Sequence, residues 1–476
     1  MANQENRVSS FQLNVYAFYG VFQNWGFWVP FLYGQQYMTN YLGIPIAITA
    51  SILSVAKIID FCVSLVAGGI VQSANLKKGK FLPWMRTLRF VIATGAILQM
   101  MPAAWVSTWP VVLKGAMVAV GYCMMHCSMN FMATCQFGVM PLIAGSNMDD
   151  RIKMTTRQTQ VNSASSIILS FGCVPLITLV GTLVGSEAMG YTIVTACATL
   201  FLIVGVELLT KAVGPLDKPR DPSLPAPPKV KVKDMITAIF TNDQMVIYML
   251  YQVVNQTGTY IVQGMTMYYW QVVMNQWGLY AIGTGLTTCL GFVFAMFIPA
   301  IGKKLGKKKS IIANTCVLLI AKVIMATRGL KSIWWMVAAT GLQSAGMYLT
   351  MAFGVNYYLD IGEYGYYKTG KDFRTLSMSM QNIPMKVAMA LGGAIGGYVL
   401  AFIGFDGWNG QYMAGTLDRS LEAFEAFRKT FITIYAVVPA IFAVVAVAIF
   451  MFGYKITDED AKFYAQENAK RKAAEL

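Results

Sequence analysis

The stretch "GPLDKPRDPSLPAPPKVKVKD", residues 214–234, is the one long Pro-rich polar break in the chain. On either side of it, apolar runs of roughly 20 residues recur, each long enough to cross a hydrocarbon core as a helix. Twelve spans are predicted, at about 11–39, 47–74, 82–104, 109–140, 159–183, 190–212, 241–273, 278–302, 310–327, 333–359, 378–404 and 430–453. Six precede the break and six follow it. The break therefore reads as a linker between two helical halves.

The composition agrees. The chain has 476 residues, 56% of them hydrophobic and only 12% charged, where a soluble domain carries about 25% charged residues. Mean hydropathy is +0.53. Alternating segments of about ten residues, the mark of a membrane β-barrel, are not evident. A net charge of +15 would suggest nucleic acid in a soluble protein; here the loops account for it, and no nucleic-acid partner is expected. Six basic residues fall in one set of loops (Lys114, Arg328, Lys331, Arg419, Arg428, Lys429) and three within spans (Lys57, Lys322, Lys386). The rest lie at the N-terminus, in the alternate loops and in the tail. The positive-inside rule then places both termini in the cytoplasm, which requires an even number of spans. The opening "MANQENRVSSFQ" lacks the pattern of a cleaved signal, so the first span is expected to act as its own insertion signal. All eight cysteines fall in apolar segments without CxxC spacing, and read as buried small side chains rather than disulfides or metal ligands.

The halves also resemble each other. Lysines 77, 78 and 80 follow the second span; "GKKLGKKKS", 302–310, follows the eighth, which is the second of its half. The expectation is an all-α membrane protein of twelve transmembrane helices in two six-helix pseudo-symmetric bundles, the major facilitator fold. Residues 1–213 form the first bundle, 214–238 the cytoplasmic linker, 239–453 the second bundle and 454–476 a cytoplasmic tail.

Several polar residues stand inside the spans. Lys57 and Asp60 lie one turn apart on one face of span two, with Ser64 a turn further on. A charge at the bilayer centre costs ~2.5–3.5 kcal/mol on insertion scales. Two readings remain: a structural ion pair, or a cation- or proton-linked site. Lys386 sits about two turns into span eleven with no acid within a turn, behind Gln381 and Asn382, whose amides suit hydroxyls. Its partner is another helix or an anionic ligand. The run Gly392, Gly393, Gly396, Gly397 reads as close helix packing or a flexible segment. His126 is the only histidine and shares a face with Asn130 and Ala133; it is either a hydrogen-bonded interior residue or a proton carrier, and offers no zinc-site spacing. Two aromatic groups neighbour amides at corresponding places: Asn24, Trp25 and Trp28 in span one, and Tyr268, Tyr269 and Trp270 in span seven. Such faces suit sugar rings, among other ligands. No P-loop, HExxH or GxSxG is present, so the chain is not expected to be an enzyme or to need a cofactor, and a gradient is the driving force.

Two motifs resemble the glycoside–pentoside–hexuronide:cation symporters, the melibiose and glucuronide carrier group. One is Lys57, Asp60, Gly68 and then "KKGKFLPW", against the family's basic residue, Asp, Gly and basic loop ending Pro-[WF]. The other is "YYLDIGEYGYYKTG", 357–370, in which Asp360, Glu363, Tyr364, Gly365, Tyr366, Tyr367, Lys368 and Gly370 match Asp-x-x-[DE]-Tyr-Gly-[EQ]-[WY]-Lys-x-Gly. Lys386 falls where the family has a helix-eleven lysine. The loop "MDDRIKMTTRQ", 148–158, is similar to a further family motif, with Arg157 at its final arginine. The resemblance implies a multi-pass carrier of the bacterial inner membrane, working as a monomer on a small glycoside by alternating access. The departures are specific. The family's second helix-two acid is Ser64 here, its helix-four acid is Ala133, its sugar-binding helix-one acid is Asn24, and its helix-four tryptophan is Phe137.

These departures shift the expected chemistry. One aspartate beside a lysine is a poor sodium site, so a proton on Asp60 is favoured as the coupling ion, with His126 as a further candidate. Lys57 and Lys386 against Asp60 favour an anionic substrate such as a glucuronide or hexuronide. An uncoupled facilitator, a carrier of a lipid-like or aromatic amphiphile, and a transporter-like sensor are the alternatives; the tail is short for a sensor's signalling segment. Lys77, Lys78 and Lys80, with Asp149, Asp150, Asp360 and Glu363, are the expected gating charges, or the lysines simply set topology and touch anionic lipid.

Overall fold

The computed structural model describes residues 9–74, 76–145, 148–219, 237, 239–297, 305–370 and 380–474. Among the described residues none lies in a strand. The chain divides into two compact units, Met1–Lys229 and Val230–Leu476. The division falls in the Pro-rich stretch; most of that stretch, with Lys303 and Lys304 of the second basic cluster, lies outside the described residues.

The first unit holds α1 (Ser10–Asn40), α2 (Ile46–Ser73), α3 (Leu82–Gln99), α4 (Val111–Ala144), α5 (Met148–Val184) and α6 (Glu187–Val213). The second holds α7 (Asp243–Tyr268), α8 (Tyr280–Ala295), α9 (Lys307–Arg328), α10 (Ile333–Thr369), α11 (Ile383–Phe402), the short α12 (Phe405–Met413), α13 (Glu422–Gly453) and the tail helix α14 (Asp458–Ala474). In the first unit α1 packs on α5 and α6, α2 on α4, and α3 on α4 and α6. In the second, α7 packs on α11 and α13, α8 on α10, and α9 on α10 and α13. Matching α7 to α1 and onward, with α13 answering α6, makes these five pairings identical; the first unit adds a packing of α5 on α6 with no comparable counterpart between α11 and α13 among the described residues.

Among the described residues, seven of the long helices (α2, α4, α5, α6, α9, α11 and α13) are long and apolar enough by themselves to cross a membrane. Of the rest, α1 carries Gln12, Asn14, Gln23, Asn24, Gln35, Gln36 and Asn40. An amide-rich helix is costly against lipid, so such helices are held inside by their neighbours. The exposed surface elsewhere is strongly apolar: Phe402, Phe452 and Val112 are each more than four-fifths exposed.

Three expectations need correction. Residues 148–158 are not a loop but the first turns of α5, and 357–369 continue α10. Neither segment contains a proline, so both helices run on past the apolar span. Lys386 lies in the first turn of α11, because residues 380–382 form a separate 3₁₀ turn. The cysteines are all free, but only Cys135 and Cys173 are buried, and Cys62, Cys197 and Cys316 are exposed. Apolar sequence does not separate the inside of a membrane bundle from its lipid-facing side. The glycines of α11 do mark close packing: a Cβ on Gly392 would lie 2.8 Å from the Thr257 carbonyl oxygen of α7.

The basic loop after α2 is pinned from the far end of its own unit. The carboxylate of Asp217, just after α6, is buried and accepts the backbone N–H groups of Lys80, Phe81 and Leu82 at 2.9, 3.0 and 2.8 Å. An anion there meets the positive end of α3. Gly79, with φ +123°, is required by this clamp, since a Cβ would stand 2.6 Å from the Asp217 carboxylate. Lys77 and Lys78 stay exposed and Lys80 half-buried.

Replacing Asp217 by alanine orphans three N–H groups, two of them on buried residues, and is expected to cost roughly 2 kcal/mol or more. At the size of one unit, that lowers the melting temperature by about 4–8 °C. Thermal unfolding of the purified protein checks this, with Lys77→Gln expected to change little; an unchanged Asp217→Ala midpoint would remove the clamp from the account.

Candidate functional site

In the first unit α2 and α4 run side by side, which brings the charges of α2 against the polar face of α4. Asn130 Nδ2 donates to Asp60 Oδ1 at 2.6 Å and also approaches the backbone oxygens of Asp60 and His126 at 3.4 and 3.3 Å. A bond to an ionised acceptor is among the stronger hydrogen bonds, so the pair ties the two helices together at their polar point. Asp60 and Lys57 are both half-buried on α2. Ser64 donates to the Phe61 carbonyl oxygen at 2.7 Å, within its own helix.

His126 is buried, and its ring stacks on Tyr122 one turn earlier at 3.7 Å and 10°. Phe27 of α1 meets its edge at 5.0 Å. The imidazole is therefore wrapped in aromatic rings, and the polar link to Asp60 runs through Asn130. Neighbouring Asn24 and Trp28 of α1 are half-buried. Trp25 turns toward α5, where its indole N–H donates to Ser165 Oγ at 2.7 Å, and its ring lies 5.7 Å from Phe201 of α6. Phe137 is 67% exposed and Arg157 is exposed on α5; neither joins the Asp60 cluster.

In the second unit the aromatics at the end of α7 are core. Tyr268 is 1% exposed and packs on Phe405 at 4.5 Å; Trp270 is 3% exposed and meets Tyr280 edge to face. Tyr269 donates to the Gly329 carbonyl oxygen at 2.6 Å. Residues 269–273 form a π-turn, and Arg419 donates to the Val272 carbonyl oxygen at 2.9 Å, closing the helix end. This group anchors the end of α7, and protein covers both ring faces. Gln381 and Lys386 are half-buried and Asn382 is exposed at the start of α11. A lysine in a helix's first turn adds to the positive end of the dipole rather than offsetting it.

The expected gating residues have local partners. Asp150 is buried and lies 3.4 Å from Lys153 one turn on. Asp360 is half-buried on α10. The Glu363 carboxylate accepts from Asn468 of the tail helix at 2.7 Å. Lys368 reaches Asp243 at 2.5 Å, with Tyr364 donating to the same oxygen; the hydrogen bonds of Lys368 to Asp243 and then to Tyr364 raise its ammonium pKa above its usual range. The side chain of Asp149 lies outside the described residues. The Asp-x-x-Glu-Tyr-Gly segment therefore docks the tail and the start of α7 within its own unit.

Two polar residues stand out only in the structure. Asn130 is legible in sequence merely as a neighbour of His126, one turn on. Lys322 is legible only as a third lysine inside a span; it is 3% exposed, and its Nζ donates to Gln343 Oε1 at 2.8 Å.

Two repeated six-helix units with charges and amides buried in their spans define a membrane transporter of the major facilitator class. A sequence model of the MFS/sugar transport protein family matches residues 15–458, and the chain belongs to that family. It is a transporter, not an enzyme. The chain is 23% identical to "Glucuronide carrier protein homolog" of Escherichia coli, over 96% of this chain and 95% of that protein. It is 22% identical to "Isoprimeverose transporter" of Lactiplantibacillus pentosus, over 92% and 88%. Among solved structures, a bacterial homologue of the iron transporter ferroportin aligns with a TM-score of 0.64 at 12% identity, over 94% of this chain and 99% of that one. The nucleoside transporter NupG aligns with a TM-score of 0.61 at 12% identity, over 93% and 99%. At that identity the likeness is one of fold.

The packing separates the roles of His126 and Asn130. His126→Phe keeps the stack on Tyr122 and is expected to shift unfolding by less than about 1 kcal/mol. Asn130→Leu removes the donor from a half-buried carboxylate and is expected to cost roughly 1.5–3 kcal/mol. Thermal unfolding of both variants in the same detergent decides; the reverse order would make the imidazole the structural link.

Proposed function

We propose that the chain carries an acidic glycoside, of the glucuronide or hexuronide kind, across the bacterial inner membrane by alternating access, with a proton on Asp60 as the coupling ion. The observation that carries the coupling is the composition of the Asp60 site. Its carboxylate accepts from the neutral amide of Asn130. The hydroxyl of Ser64 is turned to its own backbone, and Ala133 brings no oxygen. Among the described residues no group of three or more His, Cys, Asp or Glu side chains is placed to hold a metal ion. A sodium ion wants several oxygen ligands, as hard cations do; Ser64 and Ala133 supply no carboxylate, whereas a proton needs only Asp60.

The charge balance supports the acidic substrate. Arg89 and Glu207 neutralise each other at 2.8 Å. The spans hold three lysines, Lys57, Lys322 and Lys386, beside Asp60, and an excess of positive charge attracts anions. The likeness to a glucuronide carrier homologue points the same way. Lys386, at the positive end of α11, is the counter-charge this reading assigns to the substrate carboxylate, with Lys57 second. Both termini in the cytoplasm and a working monomer complete the reading.

Proteoliposome uptake tests it. An aryl glucuronide is expected to accumulate under an inward proton gradient, and a matched neutral glucoside at least tenfold less. Asp60→Asn is expected to abolish accumulation while leaving counterflow exchange. Uptake of the neutral glycoside alone overturns the substrate, and sodium-dependent, pH-independent accumulation overturns the coupling.

A further inference from the structure

A second polar site lies wholly within the C-terminal unit, where α7, α9, α10 and α13 meet. Lys322 of α9 is 3% exposed. Its Nζ donates to Gln343 Oε1 of α10 at 2.8 Å, approaches Met325 Sδ at 3.8 Å, and stands 5.9 Å over the ring of Tyr435 of α13. Tyr435 in turn shares a hydrogen bond with Thr266 at 2.9 Å. Beside the ammonium is a small opening with room for about one water-sized particle, lined by Lys322, Gln343, Asn255 and Thr259 with Leu318 and Pro439 among its apolar walls. No carboxylate lines it.

A buried ammonium is costly unless its charge is compensated, at several kcal/mol per ion. One amide oxygen, one thioether and a ring face compensate in part. A negative charge in the opening would complete the compensation, and the lining can receive one: two amide side chains and a hydroxyl able to donate, beside an ammonium. The room is far smaller than the roughly 300 Å³ at which small-molecule pockets begin, so it suits a single small ion, not a sugar ring.

We infer that the Lys322 opening is an anion site, taking a single negative charge on a small free ion such as a halide. Lys322 holds the charge, and Gln343, Asn255 and Thr259 orient it. The site stands independently of the acidic-glycoside reading.

The test uses the whole purified protein in nanodiscs, without glycoside. Chloride is titrated against a bulky sulfonate buffer anion at constant sodium and pH, and the melting temperature is read. A saturable rise of several degrees is expected in the native protein. It should vanish in Lys322→Met, persist in Lys322→Arg, and need about tenfold more chloride in Gln343→Leu. The inference is overturned if the native protein shows no saturable response to chloride, or if Lys322→Met responds as the native protein does. Should Lys322→Met not fold, the Gln343→Leu and Lys322→Arg pair carries the comparison: equal midpoints in all three proteins overturn it. Because the chloride titration contains no glycoside, failure of acidic transport leaves it standing.

Discussion

A helix surrounded by lipid gains little by hiding its apolar side chains, because the solvent outside is as apolar as the core. What holds such helices together is close backbone approach and the satisfaction of every polar group they carry. Both features organise this protein. The glycines of α11 let it lie against the backbone of α7. The amide-rich α1 is kept from lipid by α5 and α6. Residues that look expensive in the sequence are thus the ones that fix which helices are neighbours.

The buried charges follow the same constraint in two different ways. Asp60 is met across a helix interface by a neutral amide, Asn130, which stabilises the anion without adding charge. Lys322 is met by another neutral amide, Gln343, again across a helix interface. In each unit one ionised group of one helix is tied to one amide of the next. A neutral partner holds the position of its neighbour without adding a charge of its own. Arg89 and Glu207 show the opposite arrangement, a pair that cancels and serves structure.

The two motifs that carry the family resemblance do much of their visible work inside their own units. The basic loop is clamped by Asp217 onto the start of α3, and only Gly79 permits that approach. Glu363 and Lys368 of the second motif hold the tail helix and the start of α7. Thr457 and Asp460 bond reciprocally at the start of that tail helix, a capping box in which the hydroxyl and backbone N–H keep the Asp460 carboxyl pKa below its ordinary value.

The sequence by itself determined the class, the number of long helices and their grouping by six, because hydropathy and the Pro-rich break depend only on composition along the chain. It also singled out Asp60, Lys57 and Lys386, since a charge in an apolar run is visible without coordinates. It could not say that His126 is wrapped in aromatic rings, that Tyr268 and Trp270 are core, or that three cysteines are exposed. Those facts depend on which face of each helix meets a neighbour, and in lipid both faces are apolar, so no periodic pattern marks the inward one. Nor could it find the partners of its charges. Asn130 lies 70 residues from Asp60, Asp217 lies 136 from Phe81, and Gln343 lies 21 from Lys322. Only the packing of helices brings such distant residues within hydrogen-bond reach, and so only the tertiary structure decided which residue each of these charges meets.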